Sequence, residues 1–496
     1  MIKAKSFGAS AASGMIWVSI SVLLCKAMLF AMQIVLGFVL DARDYSIFAV
    51  VSVALTFVAG LQNAGISKIL IQKQDKYQAL VKDYTDFALY MGLTGAAVLV
   101  LLGLIFGKFY RNPELFYVIG LSSLSVPVTS LISVQFARLL IDLRFRAQFT
   151  IDFFVTAANV LVVLLAAFMG ARYYSIGIGL VVSTLVRYIL NRAVTPTRLP
   201  SLDLSMSRFL VILAQAKWLI VSAFLTGLAQ QGDYFVLGRV ISAESLGYYY
   251  FGFQLIANIG QLLAQGVGNA LFPIFSAMKH DMQALKRGFL RASSVIHFAC
   301  SVLCLGAVGF APWLMHFVWR GKWDMAIVTA VAIAFTLPMR MLSPIGAVTL
   351  DSFGKWRLRT ALLMLDSGTM MAAALIGAHF GDLRGASIGV ALQRLGSGMV
   401  DFSFAVRTLG GRTADIVLFG CRAFLPFWLP AAALVVLQIT QPVAGSAIHA
   451  ALFSALRTLA AIGVFAAIAY AIDPEVIREV RALVRKLLFA RQTAAR

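Results

Sequence analysis

The chain has 496 residues, of which 60% are hydrophobic and 13% are charged, and its formal net charge at pH 7 is +21. A composition this apolar excludes an ordinary soluble domain and predicts a membrane protein. The basic excess does not indicate a nucleic-acid partner, because it is spread over short connections between long apolar stretches.

Fourteen apolar stretches are long enough to cross a bilayer, which takes about 20 residues. Their backbone groups must be satisfied without water, so we expect each stretch to be helical. The predicted spans are 15–39, 46–66, 86–106, 115–137, 149–169, 174–190, 216–238, 247–277, 292–318, 325–350, 360–378, 385–406, 414–437 and 447–472.

Lys and Arg residues alternate between rich and poor connections. The two tails and the even-numbered loops together carry 28 of them, whereas the odd-numbered loops carry 8. By the positive-inside rule, this asymmetry places both termini in the cytoplasm of a multi-pass bacterial inner-membrane protein. The first apolar stretch lacks a cleavage site followed by a soluble domain, so we expect it to stay as an anchor.

An internal repeat predicts the architecture. A shift of 201 residues aligns Trp17 with Trp218 and Gly65 with Gly266. The shift spans an even number of helices, so both copies run in the same direction, as in a parallel repeat. The fold class is thus an all-α polytopic membrane protein with two six-helix lobes and two extra helices. The predicted segments are an N-terminal lobe (1–190), a cytoplasmic loop (191–207), a C-terminal lobe (208–410), helices 13 and 14 (411–472) and a basic tail (473–496).

The tail begins with Asp473 and Pro474, a helix N-cap and first helical position. Apolar residues then recur on one face and arginines on the rest. This pattern predicts an amphipathic helix on the inner membrane surface, with docking of a partner protein as the alternative.

Three basic residues in the lobes lie far from the helix ends, namely Lys26, Arg340 and Arg394. A cation inside the bilayer costs about 2.5 to 3.5 kcal/mol, so its retention points to water, an acidic partner or an anionic ligand. We predict that these cations line a cavity, with a structural ion pair as the alternative. Asp233 and Asp366 are the complementary acids, as charge partners or as sites for a coupled H⁺ or Na⁺.

Three more cations, Lys217, Arg422 and Arg457, lie nearer to helix ends, where a charge reaches the interface. No segment is long enough for a separate nucleotide-binding domain, and the four cysteines fall inside predicted helices without metal-ligand spacing. The sequence therefore predicts no catalytic residues, no metal and no cofactor beyond a coupling ion.

Several motifs resemble one transporter family. The stretch Gly232–Arg239, followed by Ser242–Tyr249 and Leu271–Pro273, resembles helices 7 and 8 of the Wzx-type polysaccharide flippases. These belong to the multidrug/oligosaccharidyl-lipid/polysaccharide (MOP) exporter superfamily, which has a MATE-like fold. The first lobe departs from the family pattern, with Gly37-Phe38 in place of Ala-Arg and with Ser46 in place of Gly.

The resemblance implies a non-enzymatic flippase that moves undecaprenyl-pyrophosphate-linked oligosaccharide from the cytoplasmic to the periplasmic leaflet by alternating access. It implies membrane lipids, a polymerase and a co-polymerase as partners in exopolysaccharide, capsule or O-antigen synthesis. Lys26, Arg340 and Arg394 would then face the pyrophosphate or acidic sugars. A multidrug or small-molecule exporter is the main alternative, and a scaffold or glycosyltransferase subunit is the other.

Overall fold

The structure is a computed structural model that describes residues 2–63, 65–197, 199–278, 280–440 and 446–482. Throughout these ranges the secondary structure is helical, with short connections. The helices are α1 (Ile2–Val39), α2 (Ala42–Asn63), α3 (Ile66–Gln72), α4 (Tyr77–Phe109), α5 (Glu114–Ser123), α6 (Ser125–Ile141), α7 (Phe145–Ala166), α8 (Tyr174–Val194), α9 (Met206–Val240), α10 (Ala243–Ala277), α11 (Met282–Trp313), α12 (Ile327–Arg340), α13 (Leu342–Ser352), α14 (Trp356–Thr408), α15 (Thr413–Thr440) and α16 (Ala447–Ile472).

Twelve helical segments of the described residues are long and apolar enough to cross a membrane. The predicted all-α polytopic fold is therefore confirmed. The count of fourteen stays a prediction, since some α10 side chains lie outside the described residues. One of the twelve, Trp356–Thr408, breaks at Gly381 and Asp382, between predicted helices 11 and 12.

Contacts divide the chain into two compact units, Met1–Tyr250 and Phe251–Arg496. The boundary falls inside α10, so α9 belongs by its contacts to the first unit, where it packs on α2. The predicted lobe boundaries, which assign α9 to the second lobe, stay a prediction.

In the first unit, α2 and α9 approach closely through small residues. A Cβ on Gly60 would lie 2.8 Å from the Ile220 carbonyl oxygen, and one on Gly227 would lie 2.0 Å from a Thr56 methyl group. Glycine at these points lets the backbones meet without a hydrophobic driving force, which lipid does not supply.

The first turns of α2 and α10 carry an ion pair that relates to the repeat. Arg43 Nε lies 3.0 Å from Glu244 Oε1, and the two residues are 201 positions apart, the offset of the predicted repeat. Equivalent positions of two copies contact each other only at the axis that relates the copies. This pair therefore supports the repeat read from the sequence.

The connection between α8 and α9 is held against α4 by hydrogen bonds. The buried Asp86 carboxylate accepts hydrogen bonds from Ser201 N at 2.7 Å, from Ser201 Oγ at 2.8 Å and from Leu202 N at 3.3 Å. Lys82 adds an exposed ion pair with Asp203 at 3.3 Å. The predicted inter-lobe loop is thus held against the first unit by its own backbone amides.

In the second unit, α14 packs along α12 and α13, while α11, α15 and α16 pack together. The two halves of α14 meet through glycines, since a Cβ on Gly377 would lie 2.3 Å from the Gly385 carbonyl oxygen. Residues 474–482 continue as a short helix, in which Glu479 pairs with Arg291 of α11. The rest of the predicted amphipathic tail lies outside the described residues.

We expect Gly247→Ala to destabilise the first unit, because its Cβ would lie 1.7 Å from the Ala42 carbonyl oxygen. Overpacking of this kind costs about 1 to 3 kcal/mol, measurable as a lower melting temperature in detergent. Gly120→Ala is the matched control, since a Cβ there meets nothing within 4 Å. An unchanged melting temperature for Gly247→Ala would contradict this packing.

Candidate functional site

Arg340, at the end of α12, forms a buried ion pair with Asp366 of α14. Arg340 Nη2 lies 2.8 Å from Asp366 Oδ2 and Nη1 donates to Oδ1 at 3.2 Å, with side chains 15% and 7% exposed. Gln393 Nε2 donates to the same carboxylate at 2.8 Å, and Arg340 also donates to Ser397 Oγ. The fork-to-fork geometry neutralises both charges, so the structure pairs this predicted cavity cation with a predicted acid.

Arg394 lies one residue after Gln393 on α14 and has a different environment. Its Cζ lies 4.5 Å from the centroid of the Phe253 ring, a cation–π contact. Its Nε and Nη2 atoms are buried without a hydrogen-bond partner in the described part of the chain. A buried guanidinium with unused donors costs free energy. Arg394 is therefore the predicted cation that retains capacity for an anionic ligand.

Lys26 and Asp233 lie in the first unit. Lys26 is half-buried on α1, one turn before Leu29, which lines the cavity described below. Asp233 of α9 is fully buried and accepts a hydrogen bond from the Tyr249 hydroxyl of α10 at 2.8 Å. The structure thus gives the two predicted acids different partners, a phenol for Asp233 and a guanidinium for Asp366.

The three cations assigned to helix ends have other surroundings. Lys217 is exposed beside the ring of Trp218, at 5.8 Å from its centroid. Arg457 stacks on Phe453 at 4.2 Å and donates to the Leu437 carbonyl at 3.4 Å. Arg422 is exposed and lines a crevice between α11, α15 and α16.

The first unit has an open cavity of about 570 Å³ with many polar lining side chains, called the polar cavity below. Helices α1, α2, α6, α7, α8 and α9 surround it. Ten of its lining side chains are neutral hydrogen-bonding groups, and one is a guanidinium. These are Ser52, Thr56, Gln62, Ser125, Thr129, Thr156, Asn159, Ser183, Thr184, Gln231 and Arg187.

The sequence predicts Arg187 of α8 to be one of the cytoplasmic cations, whereas the structure places it in the lining of the polar cavity. Its Nη1 lies 2.7 Å from Asp152 Oδ1 of α7, with both side chains partly exposed. The signal was present as polar residues at helical spacing, such as Thr156 with Asn159 and Ser183 with Arg187. Residues three or four positions apart lie on the same face of a helix. The sequence does not show which faces of different helices meet, so it could not predict the cavity.

Membrane-length helices around a polar cavity are the arrangement found in multi-pass membrane transporters. The fold is similar to that of the structure "Lipid II flippase MurJ, inward closed conformation", with a TM-score of 0.69 and 12% identity over 92% of this chain and 99% of that one. It is also similar to an inward-facing multidrug resistance MATE family transporter of the MOP superfamily, with a TM-score of 0.62 and 14% identity over 79% of this chain and 98% of that one. The MATE-like fold predicted from the sequence is confirmed.

The chain belongs to the family described as "Polysaccharide biosynthesis protein", whose model matches residues 35–328, more than half of its length. It is 20% identical over 441 residues to the lipopolysaccharide biosynthesis protein WzxC of Escherichia coli, covering 86% of each chain. It is 21% identical over 365 residues to the teichuronic acid biosynthesis protein TuaB of Bacillus subtilis, covering 73% of this chain and 75% of that one. The predicted membership of the polysaccharide branch is confirmed.

We expect Arg340→Met to destabilise the protein by about 3 to 5 kcal/mol, because it leaves the Asp366 carboxylate buried without its counter-charge. The double variant Arg340→Met/Asp366→Leu should recover most of this loss, since it removes both charges. Thermal unfolding in detergent measures the effect. Arg394→Met serves as the comparison, and a loss as large as that for Arg340→Met would contradict the assignment of Arg340 as the paired cation.

Proposed function

We propose that this protein is a flippase that moves a polyprenyl-pyrophosphate-linked oligosaccharide, with undecaprenyl as the lipid, from the cytoplasmic to the periplasmic leaflet. The family match, the relatives named for polysaccharide biosynthesis and the flippase-like fold support this proposal. The product would enter exopolysaccharide, capsule or O-antigen synthesis, in which a polymerase and a co-polymerase are the expected partners.

Arg394 is the observation that carries the proposal. A pyrophosphate cannot enter hydrocarbon without an opposite charge and hydrogen-bond donors. Arg394 offers both, since its buried Nε and Nη2 have no partner in the described residues and Phe253 holds its guanidinium plane. Guanidinium groups bind phosphate oxygens through paired donors. We therefore assign Arg394 to the pyrophosphate, and Lys26 stays the predicted substrate cation of the first unit.

The Arg340–Asp366 pair fits a coupling function better than direct substrate binding. Its charges cancel in this state, so Arg340 has little attraction left for an anion. A proton or Na⁺ arriving at Asp366 would weaken its hold on Arg340 and add a cationic group to the interior. Asp233, bonded to Tyr249, is the second candidate for coupling. This arrangement would link ion entry to alternating access between the two predicted lobes.

The membrane and the orientation follow from charge. The cationic even-numbered loops and both tails would face the anionic inner leaflet of the bacterial cytoplasmic membrane. A multidrug exporter of the same superfamily is less well supported. A cationic drug calls for acidic lining, and no Asp or Glu lines the polar cavity within the described residues.

The test is the leaflet distribution of polyprenyl-linked oligosaccharide in a deletion strain, measured with a periplasmic probe of sugar exposure. We expect cytoplasmic accumulation in the deletion. Arg394→Ala should slow translocation by about tenfold or more, the loss expected for a charge-assisted hydrogen bond. Lys26→Ala should also slow translocation.

Arg384→Ala is the matched control, because Arg384 is an exposed arginine on the same helix α14. It should behave as wild type at equal expression. Normal sugar exposure in the deletion strain, with no redundant transporter, would overturn the flippase assignment.

A further inference from the structure

The polar cavity of the first unit takes its polar side chains from α2, α6, α7, α8 and α9, and the pyrophosphate does not explain their chemistry. Its ten neutral hydrogen-bonding side chains sit inside a membrane-length bundle. Polar groups at such positions are costly unless their own helix, a ligand or water satisfies their hydrogen bonds. The volume of about 570 Å³ lies within the range of small-molecule sites, about 300 to 1,000 Å³.

The lining hydroxyls that donate to their own helix present acceptors to the cavity. Ser52 donates to the Phe48 carbonyl at 2.6 Å, Thr129 to the Ser125 carbonyl at 2.8 Å and Ser183 to the Leu180 carbonyl at 3.1 Å. Each hydroxyl has one donor and two lone pairs, so one that donates to its own helix keeps lone pairs for a ligand. A lining rich in acceptors disfavours phosphate oxygens and suits ligands that carry O–H groups.

Amide side chains are the other hydrogen-bonding groups of the polar cavity. Asn159 and Gln62 line the cavity with both N–H donors and a carbonyl acceptor. Gln231 Oε1 is buried without a partner in the described residues. Neighbouring hydroxyls of a sugar ring each donate and accept, which is the pattern that such amides match.

The polar cavity differs from the surroundings of Arg394 in its net charge. Its one cation, Arg187, is bonded to Asp152 at 2.7 Å, and no carboxylate lines it within the described residues. An ion pair leaves little field to attract an anion or a cation. The ligand class is therefore uncharged.

We propose that this cavity is a glycan subsite that binds an uncharged sugar ring of the substrate through its hydroxyl groups, apart from the pyrophosphate held by Arg394. The assignment rests on the proposed flippase function. Thr156 and Asn159, one turn apart on α7, are the residues that set sugar specificity.

The test uses the full-length protein in lipid nanodiscs with uncharged sugars as probes: glucose, galactose, mannose, N-acetylglucosamine and N-acetylgalactosamine. Binding is measured by saturation-transfer NMR. We expect at least one sugar to bind wild type. The double variant Thr156→Val/Asn159→Leu should weaken that binding by at least about fivefold, the loss expected for one hydrogen bond.

Two control variants make the result specific to the cavity. Thr150→Val removes the same hydroxyl from an exposed position of α7 and should bind as wild type. Thr156→Ser/Asn159→Gln keeps the hydrogen-bonding groups and should retain most of the binding. Binding of inorganic pyrophosphate should depend on Arg394 and not on the cavity residues. It should be lost in Arg394→Ala and kept in Thr156→Val/Asn159→Leu.

The subsite is overturned if no sugar binds wild type, if Thr156→Val/Asn159→Leu binds as wild type, or if Thr150→Val weakens binding equally. The leaflet assay separates this failure from that of the proposed function. Accumulation in the deletion together with unchanged sugar binding in Thr156→Val/Asn159→Leu removes the subsite alone. Normal exposure in the deletion removes the flippase function, whatever the sugars do.

Discussion

The absence of water from the hydrocarbon core is the constraint on which the rest of this structure depends. Every backbone N–H and C=O group at that depth needs a partner inside its own segment, and the helix provides it. Length and apolarity then define the spans, and the connections stay short. Because lipid is as apolar as a leucine side chain, helix association rests on close approach, as at Gly60 and Gly227 between α2 and α9.

The same constraint makes each polar group in the interior informative, because its desolvation is unfavourable without compensation. The chain compensates in three ways. Arg340 and Asp366 cancel each other and are locked by Gln393. Arg394 lies over the face of Phe253 and keeps two buried donors without a hydrogen-bond partner in the described residues. The cavity hydroxyls of Ser52 and Thr129 donate to carbonyl groups of their own helices and keep lone pairs for a ligand.

Two of these three solutions, the neutral cavity lining and the guanidinium of Arg394, match the two parts of the proposed substrate. A lipid-linked oligosaccharide combines a hydroxyl-rich glycan with a pyrophosphate, and each part needs a different replacement for water. A neutral lining of acceptors and amides serves the glycan, and a guanidinium with unused donors serves the phosphate. Separating the two sites would let glycan recognition vary while the phosphate contact stays common to all substrates with the same carrier.

The sequence by itself determined the properties that depend on local composition. The length of the apolar stretches predicted the helices, and the motifs around Asp233 predicted the family. The charge asymmetry of the loops predicts the orientation, which stays a prediction. The 201-residue repeat is also a prediction from the sequence, and the Arg43–Glu244 ion pair is consistent with it. Only the tertiary structure decided which cation is neutralised, because Arg340 and Asp366 lie on different helices. It alone revealed the cavity, since the polar faces of five helices form a site only through the rotation of each helix about its axis, which packing sets.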